Sequence, residues 1–218
     1  MKVATGKRGH LKLLLGRAQD TPDLVLPAIF ALVNGWWHKM KFLICGKRVR
    51  IGKWFRVYGT FRIMGSGKVV LGDNCFIQSK LFKTVSFLTV RQGATISIGD
   101  NVGFSGTTIQ CFKEISIGDW CNIADAYIID SPAHPLSADR RFIKSGDVPV
   151  APVRIERNVW VSTKAVILHG VTVGENSVVG ACSLVRSDIP ANSFYAGNPA
   201  KFIKSISPST DPTSGEPL

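Results

Sequence analysis

From Ile155 onward an aliphatic residue returns at every sixth position: Ile155, Val161, Ile167, Val173, Val179 and Val185. An amphipathic helix repeats its apolar positions every three or four residues, and a half-buried strand every second one, so neither element alone produces this pattern. The fifth position of each six is small or Val (Val159, Ala165, Val171, Ser177, Ser183). A longer period encloses the short one. Six similar tetrapeptides, IGKW at Ile51, LGDN at Leu71, IGDN at Ile98, IGDW at Ile117, IERN at Ile155 and VGEN at Val173, start 20, 27, 19, 38 and 18 residues apart. Eighteen is three sixes, and repeats of this length announce a solenoid. The pattern predicts a three-sided coil in which each six is one short strand and one turn. The first position then points inward, and each such buried aliphatic contributes roughly 1.5–3 kcal/mol. The fifth faces the same narrow interior and must be small. Gly, Asp and Asn beside the corners supply turn conformations. A β-sandwich of short strands does not require spacing in multiples of six.

One gap breaks the rhythm. The 38-residue step from Ile117 to Ile155 exceeds one coil by about 20 residues. The excess falls in Asp130 to Pro152, which has four prolines and no six-residue period, so it is expected to leave the prism as a loop. Long loops on rigid scaffolds tend to carry function. His134 lies in it, and an imidazole titrating near pH 6.5 can take up and return a proton at neutral pH. Asp130 could orient that ring, as a carboxylate does in a hydrolase triad, or cap the turn where the loop departs. Arg140 and Arg141 either meet an acceptor or face water. His10 and His38 stand outside the repeat, and His169 beside Gly170 is expected at the surface. Four dispersed histidines argue against a zinc site, so no metal is expected.

Composition narrows the partners. The chain of 218 residues carries a net charge of +12, which favours anionic partners. No recognition motif accompanies the charge, so nucleic acid is not expected. Five scattered cysteines without a CxxC pair fit a reducing, cytoplasmic setting. The first residues are basic without a cleavable signal pattern. The apolar stretch Leu24 to Cys45 is interrupted by Pro27, Asn34, Gly35, His38, Lys39 and Lys41, which argues against a spanning helix. Residues 1–50 read as a mainly helical arm. Leu24 to Ala31 is expected to pack on the open first coil. From Trp36 to Lys53, aromatic residues mixed with cations suit peripheral contact with an anionic membrane as well as they suit packing. The β-helix is expected over 51–199 with its inserted loop at 130–152. The segment 200–218 should be disordered after about 205, where Ser, Thr and Pro dominate.

The hexapeptide pattern [LIV]-G-x-x-[small]-x resembles that of the left-handed β-helix acyltransferases. The likeness is greatest to galactoside, maltose and xenobiotic O-acetyltransferases and to acetyltransferases of surface polysaccharide pathways. It implies an all-β, left-handed parallel β-helix, assembly as a homotrimer and acetyl-CoA as cosubstrate. It also implies a general-base histidine in the inserted loop. One subfamily reads D-x-D-x-H-P-L followed by Arg, matched here by Asp130, His134, Pro135, Leu136 and Arg140, with Pro132 and Ala133 departing from it. By the same resemblance Trp160, Thr163 and Ala181 contact the pantetheine arm, although Trp160 equally fits packing at a subunit boundary. The closing GNPAKFIKS resembles the family's basic ending, which assigns Lys201 and Lys204 to the phosphates, with Arg186 a further candidate. Family members have Asn near "GFSGTT"; here Ser105 stands in its place as a candidate acceptor and oxyanion ligand. The implied reaction is acetyl transfer to a sugar hydroxyl, on a glycan precursor. N-acylation of an amino-sugar nucleotide, or a non-catalytic scaffold, are the alternatives.

Overall fold

The computed structural model describes residues 25–80, 82–142 and 148–207. It begins with helix α1 (Val25–Ile44), followed by six complete coils of three strands each. These are β1–β3 (Val49–Ile51, Arg56–Tyr58, Phe61–Gly65), β4–β6 (Lys68–Leu71, Phe76–Gln78, Val85–Thr89) and β7–β9 (Thr95–Ile98, Gly103–Ser105, Thr108–Cys111). Then come β10–β12 (Glu114–Ile117, Asn122–Ala124, Tyr127–Ile129), β13–β15 (Val153–Ile155, Trp160–Val161, Val166–Ile167) and β16–β18 (Thr172–Val173, Val178–Val179, Leu184–Val185). A bridge at Ile189 opens a further turn, and β19 (Ser193–Ala196) and β20 (Lys201–Ser205) close it as an antiparallel pair. First, second and third strands stack into three parallel faces of six, eight and six strands, with β20 the antiparallel exception on the second. We call the turn from first to second face the first corner, from second to third the second corner, and from third back to first the third corner.

The period of six is this prism. Ile51, Leu71, Ile98, Ile117, Ile155 and Val173 are Cα partners in one continuous register down the first face. Ile155, Val161, Ile167, Val173, Val179 and Val185 are all at most 2% exposed, and so are the fifth-position residues Val159, Ala165, Val171, Ser177 and Ser183. Toward the N-terminus the filling becomes aromatic. Phe61, Phe87 and Phe104 form an edge-to-face column with centroid separations of 5.1 and 5.2 Å. Edge-to-face stacking is the favoured aromatic geometry and adds to the burial itself.

The first corner repeats one device. In the second, third and fourth coils an Asp takes a backbone N–H from the coil before: Lys53 N–H to Asp73 Oδ1, Asp73 N–H to Asp100 Oδ1 and Asp100 N–H to Asp119 Oδ1, each at 2.7 Å. A side chain on Gly72 or Gly99 would collide with the carboxylate of the following coil, Asp100 or Asp119, which is why those positions are glycine.

Helix α1 covers the open first coil. Its buried residues Ala31, Gly35, His38 and Phe42 fall at helical spacing on one face. A Cβ on Gly35 would overlap the Phe55 carbonyl, so this glycine sets how closely helix and coil approach. His38 packs against Phe42 and Phe61, and burial followed by the charge of Lys41 pushes its pKa down. Asn34 donates to the carbonyls of Val57 (2.9 Å) and Gly59 (2.8 Å). The sequence suggested that packing and exposure divide the arm by segment. They divide it by helix face instead, because a helix that must cap a flat coil end can bury only one side. His10 and the tail beyond Ser207 lie outside the described residues.

Candidate active site

The chain leaves the prism at the third corner after β12 and rejoins it at β13. The root of the excursion is buried and fully engaged. Asp130 is 0% exposed, and its carboxylate accepts the backbone N–H groups of Phe112 (2.6 Å), Lys113 (2.7 Å) and Glu114 (2.8 Å). These groups belong to the corner of the preceding coil, so Asp130 fixes the point of departure. Its oxygens are engaged by that corner, as those of a turn-holding carboxylate would be. Ser131, also 0% exposed, donates to Pro149 O across the neck of the loop (3.2 Å) and accepts from Ala133 N (3.2 Å). Ala151 N–H closes the neck onto Asp130 O at 3.0 Å. Beyond this root the side chains face outward: His134 and Arg140 are exposed, and Leu136 and Phe142 are 101% and 88% exposed. Ala133 holds a left-handed φ of 64° immediately before His134. The loop therefore has a hydrogen-bonded base and presents an imidazole and two large apolar groups that the other described residues do not cover.

A second group of residues lines the second corner. Gly106, Asp125, Lys164 and Cys182 occupy equivalent positions with φ of 59°, 43°, 62° and 56°. Backbone bonds from Lys164 N to Asp125 O (3.2 Å) and from Cys182 N to Thr163 O (2.9 Å) stack them in one ridge. Ser105, Thr163 and Ala181 sit beside these positions, so the structure brings three of the expected site residues onto a common ridge. Between them is an arrangement the sequence reading missed. Asp125 is 6% exposed and pairs with Lys83 at 3.2 Å and with Lys164. Burial pushes its pKa up, but the hydrogen bonds and charges of Lys164 and Lys83 outweigh this and hold the carboxyl below its usual value. The ammonium groups, on side chains 49% and 61% exposed, are the accessible part. A signal was available: 39 residues separate Asp125 from Lys164, almost the 38 that separate the tetrapeptides of those two coils.

The two groups are not joined within one chain. The third face lies between the ridge and the loop, and a three-residue strand such as β12 spans about 10 Å. On that face Tyr127 donates to Gln110 Oε1, and burial raises its pKa. Trp160 is 52% exposed on the second face. Arg186 is exposed at the third corner, while Lys201 and Lys204 are exposed on β20, paired with Ala196 and Phe194 at the C-terminal end of the second face. His169 is exposed, as expected. Cys75, Cys111 and Cys121 are buried; burial pushes the thiols of Cys75 and Cys121 up to about 11, so they are poor nucleophiles. Among the described residues no three His, Cys, Asp or Glu side chains form a group able to hold a metal.

Comparison with known proteins agrees with this architecture. The family described as bacterial transferase hexapeptide (six repeats) matches residues 152–187, the most regular part of the repeat. The galactoside O-acetyltransferase of Escherichia coli is 33% identical over 138 residues, covering 62% of this chain and 63% of that protein. That of Lactococcus lactis is 34% identical over 139 residues, 64% of each. The chain thus spans a little under two thirds of the length of both. Among solved structures, the N-acyltransferase AntD from Bacillus cereus, in complex with dTDP-4-amino-4,6-dideoxyglucose and coenzyme A, superposes with a TM-score of 0.63. It is 19% identical and covers 78% of this chain and 90% of its own, a likeness of fold.

Proposed function

We propose, from the premise that the chain belongs to the hexapeptide-repeat acyltransferase family, that it transfers an acetyl group from acetyl-CoA to a sugar hydroxyl of a glycan precursor, with His134 as general base. The observation that carries this reading is the excursion at the third corner: a buried, hydrogen-bonded root that holds an exposed imidazole on a rigid scaffold. The 33–34% identity to two galactoside O-acetyltransferases favours oxygen as the acceptor atom.

Each residue then has a task. The His134 imidazole accepts the proton of the acceptor hydroxyl as its oxygen bonds to the thioester carbonyl carbon. Ser105 offers its hydroxyl to the resulting tetrahedral oxyanion. On collapse the carbon–sulfur bond breaks, and the imidazolium returns its proton to the departing thiolate. Attack is direct, with no acyl group on the protein. Thr163 and Ala181 on the second-corner ridge, with Trp160 on the adjacent face, take the pantetheine arm. Lys201, Lys204 and Arg186 meet the phosphates, for which an ammonium or guanidinium is suited. Arg140 lies near the acceptor. Because the third face separates ridge from loop in one chain, the complete site pairs the loop of one copy with the ridge of another. This is the physical reason for a homotrimer, and it covers Leu136 and Phe142. Basic charge at the α1 end suits a protein at the cytoplasmic face of a membrane, where such precursors are assembled.

The test is acetyl-CoA consumption against a panel of sugars and amino sugars, with wild type and His134→Ala compared at equal trimer content by light scattering. O-acetylated product from the wild type, lost in the variant, supports the proposal. Amino-sugar products only would make it an N-acyltransferase, and silence with every acceptor would leave a scaffold protein.

A further inference from the structure

Helix α1 is apolar on both sides. At 3.6 residues per turn, the side opposite the buried stripe carries Leu26, Phe30, Val33, Trp36, Trp37 and Leu43. All six are between 58% and 72% exposed. Lys39 and Lys41 fall at the two borders between the buried and the exposed side. Lys39 donates to the Gly52 carbonyl and ties the helix to the first coil, while Lys41 is exposed. An exposed apolar side of this extent on a helix is ordinarily covered by protein or by lipid. No helix among the described residues is long and apolar enough to cross a membrane.

The charge around this helix is one-sided. Between Val25 and Gly72 there are nine Lys and Arg residues and no Asp or Glu, and among the described residues the acid that acts on Lys39 is Asp73, whose carboxylate accepts Lys53 N–H. Arg48, Arg50 and Lys53 are exposed beside the helix on the first coil. Two copies meeting through this end would set the exposed Lys41, Arg48, Arg50 and Lys53 of one against those of the other. An anionic lipid surface removes the repulsion and also receives the apolar side chains. A groove of about 540 Å³ between α1 and the first coil, with Phe30, Trp37, Tyr58 and Lys80 on its walls, adds depth for an acyl chain below a headgroup.

We propose that the α1 end of the β-helix docks on anionic membrane, with the outward side of α1 at headgroup depth and the flanking cations on lipid phosphates. The solenoid then rises from the bilayer. Four strand spacings separate β1 from β13 on the first face, so the root of the His134 loop stands about 20 Å from the docked end. That height suits an acceptor hydroxyl on a glycan held by a lipid anchor. This last step rests on the acyltransferase reading; the docking itself does not.

Flotation of the full chain with vesicles tests it. Recovery with phosphatidylcholine–phosphatidylglycerol vesicles, release by salt, and little recovery on phosphatidylcholine alone are expected. The double variants Trp36→Ser with Trp37→Ser, and Arg48→Glu with Arg50→Glu, should each lower the bound fraction at least about ten-fold without a change in thermal unfolding. Equal binding to neutral vesicles, or no binding to either kind, overturns the proposal. So does a tryptophan variant that loses molecular mass in light scattering while vesicle binding is unchanged, which would identify a second copy as the occupant. Flotation that persists in a protein inert toward every acceptor upholds the docking while the acyltransferase reading fails.

Discussion

The first and third corners of the prism solve the same geometric problem with opposite economies. At the first corner each coil commits its side chains to its neighbours, Asp to the coil before and Asn to the coil after. Asp73, Asp100 and Asp119 accept backbone N–H groups of the preceding coil. Asn74 donates to Asn101, Asn158 to Asn176 and Asn176 to Asn192, at 2.7, 2.9 and 3.0 Å. At the third corner between β12 and β13 the polar side chains at the root point back to hold the departure, and those beyond it point away from the chain. Repetition serves stability because every coil satisfies its neighbour. Interruption releases side chains from that duty while a buried root holds the loop, which is what the proposed chemistry requires.

The largest expected effect removes what the interruption releases. Replacing His134 by Ala should lower kcat/KM for acetyl transfer about 10²–10⁴-fold. Thermal unfolding should stay at the wild-type temperature, since the exposed ring supports nothing in the coil. A variant that loses activity only together with its fold would place His134 on the structural side of the comparison.

Next comes the root. Asp130→Ala leaves one buried and two part-buried backbone donors without their acceptor, at a cost of about 3 kcal/mol. A fall in Tm of roughly 10 °C should follow for a chain of this size. Activity should fall as well, through a displaced loop, and rise in part at lower temperature. An unchanged Tm would mean that the corner holds itself and that Asp130 acts elsewhere.

How much of this was legible beforehand follows from where each signal resides. The coil was readable because its rule is local: every sixth side chain meets the same narrow interior, so Val173 and Val179 announce themselves without knowledge of the fold. The loop was readable as a defect in that rule. Asp130 was ambiguous because a carboxylate looks the same whether it serves an imidazole or three N–H groups from another coil. The Lys83–Asp125–Lys164 cluster was missed because its members are distant in sequence and meet only through stacking and the turn before Val85. The arm was divided by segment because composition cannot say which helix face a flat coil end will take.

A milder test falls on the repeated corner. Asn176→Ala removes one accepted and one donated side-chain hydrogen bond and puts alanine at a φ of 60°. A loss of about 1–2 kcal/mol is expected, with activity unaffected. Denaturant titration followed by far-UV circular dichroism would measure it. A loss as large as that of Asp130→Ala would erase the distinction between a shared, redundant corner and a single buried anchor.

The smallest effect has the opposite sign. Trp120 occupies the asparagine position of its coil with a φ of 63°, a conformation costly for a bulky residue and tolerable for asparagine. It stands between Asn101 and Asn158 and interrupts the ladder there, with its ring 41% exposed. Trp120→Asn relieves the backbone and places an amide where it can continue the ladder in both directions, so stability should rise by about 1 kcal/mol. Trp54, at φ 56° in the first coil, offers the same test one end away. If Trp120→Asn instead destabilises, the ring is packed against something outside the single chain, and the first corner also does work between copies. A gain in stability would confine the first corner to support within one chain, in contrast to the third-corner loop that is proposed to meet another copy.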